Sequence, residues 1–264
     1  MRYFLHIGFD GTNYSGWQKQ KSTSKTVQEV LEQKLSQIFK QDITAYGCGR
    51  TDAGVHASQY VLHINLDEAP DFDLKFRLNK NLPDDIAVFE IIVGPHTKHS
   101  RFAAMSRTYD YFIHLNKEPS LVRHSSFYEG LDLDYEEMKK ATKLILQTTD
   151  CRALCKQPDL HKNTLCDISH CELYFNEENG RLHFTITANR FLRGMVRLCV
   201  FFLLQVGTGK MTLAEFEAML KLENDTHPKH PALPNGLFLS KVEYDFLVLK
   251  NQHHLIEMLK QGLY

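Results

Sequence analysis

The sequence lacks an excess of charge of either sign. Its 31 Lys and Arg residues nearly balance its 32 Asp and Glu residues, so the formal net charge is −1 with the 14 histidines counted as neutral. A polycation that binds nucleic acid through bulk charge is therefore excluded, and so is an acidic disordered tail. A local basic surface is still allowed, because binding depends on where the charges lie as well as on their sum.

Cysteines and long apolar runs are also scarce. Six cysteines in 264 residues are too few and too scattered for a disulfide scaffold. The longest apolar run covers residues 198–204, far short of the roughly 18 residues that suggest a membrane span. The start, MRYFLHIGFDG, has neither a long apolar stretch nor a small-residue cleavage site. We therefore expect a cytoplasmic protein with reduced thiols and no membrane association.

Hydrophobic periodicity predicts an α+β protein. In the first hundred residues it predicts strands at 2–10, 43–48, 60–66 and 86–93 and helices at 26–39 and 72–80, with Thr26 and Glu29 suited to a capping box. This β-α-β-β-α-β order is that of a ferredoxin-like unit. It recurs as strands at 106–115, 165–175, 182–188 and 236–246 and helices at 135–146, 192–206 and 213–222. We predict two ferredoxin-like domains: 1–103, and 104–264 with an extra helix and a C-terminal tail.

Charge is segregated along the chain within the neutral total. Residues 181–210 hold five basic side chains and no acid, whereas residues 129–137 hold five acids and no base. Arg193 and Arg197 lie one turn apart on the apolar helix predicted at 192–206, so a partner is expected for each. We predict that they belong to a patch that faces phosphate or carboxylate, with Arg193 mainly in binding; an ordinary solvated face is the alternative.

The segment GCGRTDAGVHA (residues 47–57) is the strongest candidate for chemistry. Three glycines within eight residues allow positive φ and a close approach of the backbone to a ligand. Asp52 follows Arg50 by two residues, which suits a nucleophilic carboxylate held ionised by a cation. The alternative is a hairpin whose aspartate bonds only to turn amides.

This segment resembles the catalytic motif of the TruA-type tRNA pseudouridine synthase family. The resemblance extends over most of the chain, in order: FDGTNYSGWQKQ (9–20), NLPDDIAV (81–88), RFAAMSRTYDYFI (101–113), NRFLRGMVR (189–197) and GLFL (236–239). It implies two ferredoxin-like halves with joined antiparallel sheets and a central catalytic cleft. It also implies a homodimer that isomerises uridine to pseudouridine at positions 38, 39 and 40 of the tRNA anticodon stem-loop.

The resemblance gives individual residues their roles. Asp52 matches the catalytic aspartate, and Arg50 the arginine that intrudes where the target base flips out. Tyr109 matches the tyrosine that packs on the uracil and is a candidate for proton abstraction at carbon 5. Arg197 matches the arginine that pairs with the catalytic carboxylate, and Leu239 an apolar residue that lines the base pocket. The reaction needs no redox step or group donor, so no cofactor is expected.

Two points stay open at the level of individual residues. Tyr111 lies on the same strand face as Tyr109, so the two tyrosines can exchange roles. The sequence does not decide whether the carboxylate attacks the ribose or the uracil ring.

The segment 150–167 departs from the family pattern. Cys151 to Leu154 replace a frequent Phe-Thr-Ser-Phe, and Cys166 stands where many members carry arginine, so the family's tRNA contacts are not carried over to this segment. The cysteines at 151, 155, 166 and 171, near two histidines, also suit a zinc site, although their spacings are loose. Buried free thiols are the favoured interpretation, and no metal is expected.

Two other function classes are compatible with the pattern. A non-catalytic tandem RNA-binding module has no need for Asp52, and the aromatic RNP1 motif of such modules is absent. A palm-like nucleotidyl transferase with Asp10 and Asp52 on two Mg²⁺ ions is the other alternative.

Overall fold

The computed structural model describes residues 1–223, 230–250, 254–261 and 263. The chain has an α+β fold that packs as two compact units. The first comprises Met1–Met105 and Phe238–Glu257, and the second Ser106–Leu237 and Met258–Tyr264. The units thus assign residues 238–257 to the first part of the chain. The division into domains 1–103 and 104–264 stays a prediction.

The elements of the first unit follow the predicted order. They are β1 (Arg2–Phe9), α1 (Val27–Phe39), β2 (Tyr46–Gly47), β3 (His56–Asn65), α2 (Leu74–Asn81) and β4 (Ile86–Gly94). β1 lies between β3 and β4 and pairs antiparallel with both, while β2 pairs antiparallel with β3. Thr26 caps α1 by accepting a hydrogen bond from the amide of Glu29 at 3.2 Å. This bond satisfies one of the amides that a helix start leaves unpaired.

The strand predicted at 43–48 is much shorter than expected. Only Tyr46 and Gly47 pair with β3, because the preceding amides bond to side chains of α1 instead. The amide of Ile43 donates to the Ser36 hydroxyl at 3.3 Å, and that of Ala45 donates to the Glu32 carboxylate at 3.0 Å. These bonds fix the segment against the helix and leave β2 as a two-residue strand.

The second unit is built around three long antiparallel strands that lie side by side. Its elements are β5 (Ser106–His114), β6 (Ser126–Phe127), α3 (Tyr135–Gln147), β7 (Ile168–Asn176), β8 (Arg181–Ala188), α4 (Met195–Gly207) and α5 (Leu213–Leu220). β8 pairs antiparallel with β5 and β7, and α3 packs against β7 and α4. The short β6, which was not predicted, pairs parallel with β5.

The chain continues with β9 (Leu237–Glu243) and α6 (His254–Lys260). Phe238 and Leu239 of β9 pair in parallel with His56 and Ala57 of β3. The ladders are therefore mostly antiparallel, as expected, with β3–β9 and β5–β6 as parallel pairs. Within the described residues, no helix has both the length and the apolar character that crossing a bilayer requires.

Candidate active site

The loop between β2 and β3, residues 48–55, carries Arg50 and Asp52 and is called the Asp52 loop here. Both of these side chains are exposed, whereas Thr51 between them is buried. The loop begins where the amide of Cys48 donates to the carbonyl of Val61 on β3 at 2.8 Å. The loop thus exposes a carboxylate and a guanidinium to solvent, and its first residue is hydrogen-bonded to β3.

A second loop, residues 11–17, holds the Asp52 loop in place. The amide of Trp17 donates to the carbonyl of Thr51 at 3.3 Å, and the amide of Gly54 donates to the carbonyl of Tyr14 at 3.2 Å. These two bonds lie on either side of Asp52 in the sequence. The position of the Asp52 backbone therefore depends on the conformation of residues 11–17.

The three glycines of this region serve different purposes. Gly54 has a φ of +77°, as expected for a glycine in a tight loop. A Cβ on Gly47 would lie 2.0 Å from the hydroxyl of Tyr60 and 2.6 Å from the ring of Trp17, so Gly47 is required by packing. A Cβ on Gly49 would meet no atom of the described residues within 4 Å, and its φ is not positive. The expectation of positive φ is thus confirmed at Gly54 alone.

Aromatic rings form the floor beneath the loop. Trp17 is buried and stacks on Tyr60, with ring centroids 4.2 Å apart, and on Phe9 at 6.4 Å. The Tyr60 hydroxyl donates to the carbonyl of Gly49 at 2.6 Å. Trp17 is therefore a packing anchor, and Tyr60 fixes the loop one residue before Arg50.

Leu239 lies at the other end of the Asp52 loop. It pairs with Ala57 in the β3–β9 ladder and is fully buried. Its neighbour Phe238 stacks on His56 at 4.6 Å, and the Nδ1 atom of His56 accepts a hydrogen bond from the amide of Gly11 at 3.1 Å. The first unit thus brings the predicted apolar residue next to the strand into which the Asp52 loop leads.

A recess beside Arg50 was not predicted from the sequence. It has a volume of about 210 Å³ and its lining includes Trp17, Gln18, Tyr46, Arg50, Arg101 and Phe102. Phe102 is 78% exposed and Tyr46 is 41% exposed. The motif RFAAM contains Phe102, but its exposure is a tertiary property that the sequence pattern does not encode.

The two tyrosines considered for the same role have different environments in the second unit. Tyr109 pairs with Ile186 across the β5–β8 ladder, and its ring meets that of Phe191 edge-on at 4.9 Å. Tyr111 is fully buried; its hydroxyl donates to the carbonyl of Leu233 at 2.7 Å and lies 2.8 Å from the Ser126 hydroxyl oxygen. Burial raises the pKa of Tyr111 well above its usual value. Its hydroxyl is thus part of the packing of this unit.

Arg193 and Arg197 were expected on one helix, but only Arg197 lies on α4. α4 begins at Met195, preceded by Gly194 with a φ of +71°, so Arg193 lies outside it. Arg193 is exposed and donates to the side-chain carbonyl of Gln157. Arg197 lies on α4, and its Nε donates to the carbonyl of Ala232 at 2.6 Å. The two side chains are thus fixed by different segments.

The remaining arginines between residues 181 and 210 do not form one free surface. Arg190 donates to the side-chain oxygen of Asn163 at 3.0 Å. Arg181 instead donates to the carbonyl of Leu259 on α6 at 2.6 Å. Arg190 and Arg193 are therefore both held by side chains of the 150–167 segment.

All six cysteines are buried and in the thiol form, outside any disulfide, as favoured from the sequence. Cys151 and Cys166 are hydrogen-bonded to each other, and burial raises the pKa of Cys171 and of Cys199. Within the described residues, no group of three or more neighbouring metal-ligand atoms includes a cysteine. The cysteines of residues 151–171 therefore act as small core side chains in this structure.

Asp10, the other carboxylate of the palm-like hypothesis, serves a turn. Its Oδ1 accepts hydrogen bonds from the amide of Thr12 at 2.9 Å and from the Thr12 hydroxyl at 2.6 Å. This is the local bonding by which aspartate stabilises a turn after a strand.

Comparison with known proteins agrees with the motif pattern. The family model described as tRNA pseudouridine synthase matches residues 6–102 and 141–245. The chain belongs to this family. It is 39% identical to the tRNA pseudouridine synthase A of Bacteroides thetaiotaomicron, over 92% of this chain and 90% of that protein. It is 36% identical to the tRNA pseudouridine synthase A of Porphyromonas gingivalis, over 92% of this chain and 97% of that protein. The pseudouridine synthase family isomerises uridine to pseudouridine, and the chain is an isomerase of that kind.

Proposed function

We propose that the chain converts uridine to pseudouridine in the anticodon stem-loop of tRNA, at positions 38, 39 and 40, with Asp52 as nucleophile. The observation that carries this proposal is the exposed Asp52, held between two backbone hydrogen bonds from residues 11–17. A reactive group fixed in this way loses little orientational freedom when substrate binds. The family membership of the chain supports the same reaction.

The reaction exchanges one bond to the ribose for another. The bond from ribose C1′ to uracil N1 breaks, the base turns over, and C1′ bonds to carbon 5, which then loses its proton. An ionised carboxylate can start this sequence by attacking C1′ or the uracil ring. N1 gains a proton as carbon 5 loses one, and the bond to the carboxylate breaks again, so no atom is gained or lost overall and the reaction requires no group donor.

We assign two further roles from the second unit. Tyr109 would pack on the uracil and accept the proton from carbon 5; its ring is held at the edge of Phe191 on a regular strand. Arg197 would pair with the Asp52 carboxylate and lower its pKa, as a guanidinium next to a carboxylate does. The contact of its Nε with Ala232 supports a positioned guanidinium.

The target base must leave the stack, which costs a few kcal/mol. Arg50 would occupy the vacated place, since it is exposed two residues from Asp52. Leu239 would line the base pocket, and Arg193 would contact phosphate. We further propose two ferredoxin-like halves, a homodimer and a cytoplasmic location. The β4-β1-β3-β2 strand order of the first unit supports the first of these, and the mass of the protein in solution tests the dimer.

The replacement of Asp52 by Asn tests the proposal. The measurement is tritium release from unmodified tRNA that carries uridine labelled at carbon 5. Asp52→Asn should abolish release and keep tRNA binding, whereas Asp71→Asn, another exposed aspartate of the first unit, should leave both unchanged. Release by Asp52→Asn at the wild-type rate would contradict the mechanism. Activity in EDTA separates this mechanism from the metal-dependent alternative.

A further inference from the structure

The recess beside Arg50 has the composition of a site for single-stranded RNA. Its described lining combines aromatic rings, two arginines and amides, and contains no carboxylate. Proteins bind unpaired nucleotides by stacking bases on aromatic rings while cations contact the backbone. The recess has a volume of about 210 Å³, below the roughly 300–1,000 Å³ of pockets for drug-sized ligands. This smaller size suits a single base.

The exposed rings are held rigidly from below. Tyr46 stacks on the buried ring of His63, with centroids 4.9 Å apart and planes 15° apart. Phe102 packs on His99 at 4.7 Å, and the Arg101 guanidinium lies 5.8 Å from the centre of the Phe102 ring. Each ring is therefore supported by a neighbour and still presents surface to solvent.

Ser100 explains why this arrangement is fixed. It is fully buried, its amide donates to Nδ1 of His63 at 3.2 Å, and its hydroxyl donates to the carbonyl of Tyr46. The Tyr244 hydroxyl donates to the carbonyl of Ser100 at 2.6 Å. Three bonds thus fix the turn that presents Phe102, so the exposure of this ring is built into the fold.

The charge of the rings also suits stacking. Burial, followed by the charges of Arg2 and Arg101, lowers the pKa of His99 below its usual value, so its ring is neutral near pH 7. The positive charge at the recess therefore resides on Arg50 and Arg101. Because Arg50 is assigned to the vacated place in the stack, Arg101 is the cation that contacts phosphate.

We propose that this recess binds a second nucleotide of the substrate RNA, next to the target uridine, whose base stacks on Phe102 and whose phosphates contact Arg101. The proposal rests on the proposed function, because it takes the RNA substrate from it. It assigns a separate task to the recess: Asp52 acts on one nucleotide, and the recess sets the register of the strand by holding a neighbour.

The test measures binding in the Asp52→Asn background, where no turnover disturbs the equilibrium. An unmodified tRNA transcript with uridine at position 39 is the probe. Phe102→Ala should weaken its binding about 5- to 150-fold, the effect of losing one base stacked on an aromatic ring. Phe102→Tyr should bind within about twofold of the parent, because the ring is retained.

Phe76→Ala is the matched control. Phe76 is also an exposed phenylalanine of the first unit, with the Lys80 ammonium 5.7 Å from its ring centre, but it lies on α2 and does not line the recess. It should leave binding unchanged. Equal thermal midpoints for all variants would show that folding is intact. Equal binding by Phe102→Ala and Phe76→Ala, or equal losses in Phe102→Ala and Phe102→Tyr, would overturn the proposal.

A series of stem-loop RNAs with one base removed at a time then identifies the nucleotide. Removing the base at one position next to the target should weaken binding to the parent protein. The same removal should not weaken binding to Phe102→Ala any further, because both changes remove the same contact. Additive losses at every position would overturn the stacking contact. The proposed function fails on a different observation, namely tritium release by Asp52→Asn. The two failures can therefore be told apart.

Discussion

Gly16 is the residue at which the support of the Asp52 loop can be perturbed most directly. Its φ is +89°, and a Cβ at this position would lie 2.3 Å from the carbonyl oxygen of Thr51. It would also lie 3.1 Å from the carbonyl carbon of Asp52 and 3.3 Å from the amide of Ala53. All of these are backbone atoms, which cannot move aside as a flexible side chain can.

The size of the effect of Gly16→Ala follows from these distances. An ordinary contact needs 3.4 Å or more, so the Thr51 carbonyl and the new methyl group must separate by about 1 Å. A misplacement of about 1 Å at a reacting group can cost roughly 100-fold in rate. The left-handed backbone adds about 1–2 kcal/mol of strain for an L-residue. We expect turnover to fall about 100-fold and the thermal midpoint to fall by roughly 2–8 °C.

Gly130→Ala separates the two contributions. Gly130 has a φ of +65°, and a Cβ there would meet no atom of the described residues within 4 Å, so its substitution adds backbone strain without a contact. The assay is tritium release at saturating tRNA, with thermal unfolding in parallel. Gly130→Ala should lose stability and keep turnover. Wild-type turnover in Gly16→Ala, with no more destabilisation than in Gly130→Ala, would refute the supporting role of residues 11–17.

Three further results are expected. Tyr109→Phe should lower tritium release with little change in stability, whereas Tyr111→Phe should lower the free energy of unfolding by about 1–2 kcal/mol, measured in urea, and keep turnover per folded molecule; the reverse pattern would exchange their roles. Arg197→Ala should lower turnover and Arg193→Ala should mainly weaken tRNA binding and flatten its salt dependence; equal, salt-independent effects would count against this division. Burial lowers the pKa of His63 from 6.5 to about 3. The unfolded chain therefore binds more protons between these values, and the free energy of unfolding should fall below pH 6.5 by up to about 1.4 kcal/mol per pH unit, with a shallower slope in His63→Gln.

Local patterns allowed much of the fold to be predicted. The helix that begins at Val27 has its cap at Thr26 and its buried face at helical spacing, and both are readable from neighbouring residues. Strands β1, β7 and β8 were predicted for the same reason.

The differences arise where distant residues decide. The amide of Ala45 bonds to Glu32 rather than to a strand, so β2 is short although its sequence favours a strand. α4 begins at Met195, after Gly194. The apolar pattern includes Leu192 and therefore predicted a helix that begins three residues too early. The exposure of Phe102 depends on the buried bonds of Ser100, which no local pattern records.

The parallel pairing of β9 with β3 has a consequence for the order in which the chain is made. Between the end of β3 at Asn65 and the start of β9 at Leu237 lie 171 residues. At about 5–20 residues per second, the ribosome needs roughly 10–30 s to synthesise them. During that time, the end of β3 that holds His56 and Ala57 lacks its neighbour and exposes unpaired backbone groups. The Asp52 loop is synthesised early. The strand that follows it, β3, gains its pairing with β9 only when the last tenth of the chain emerges.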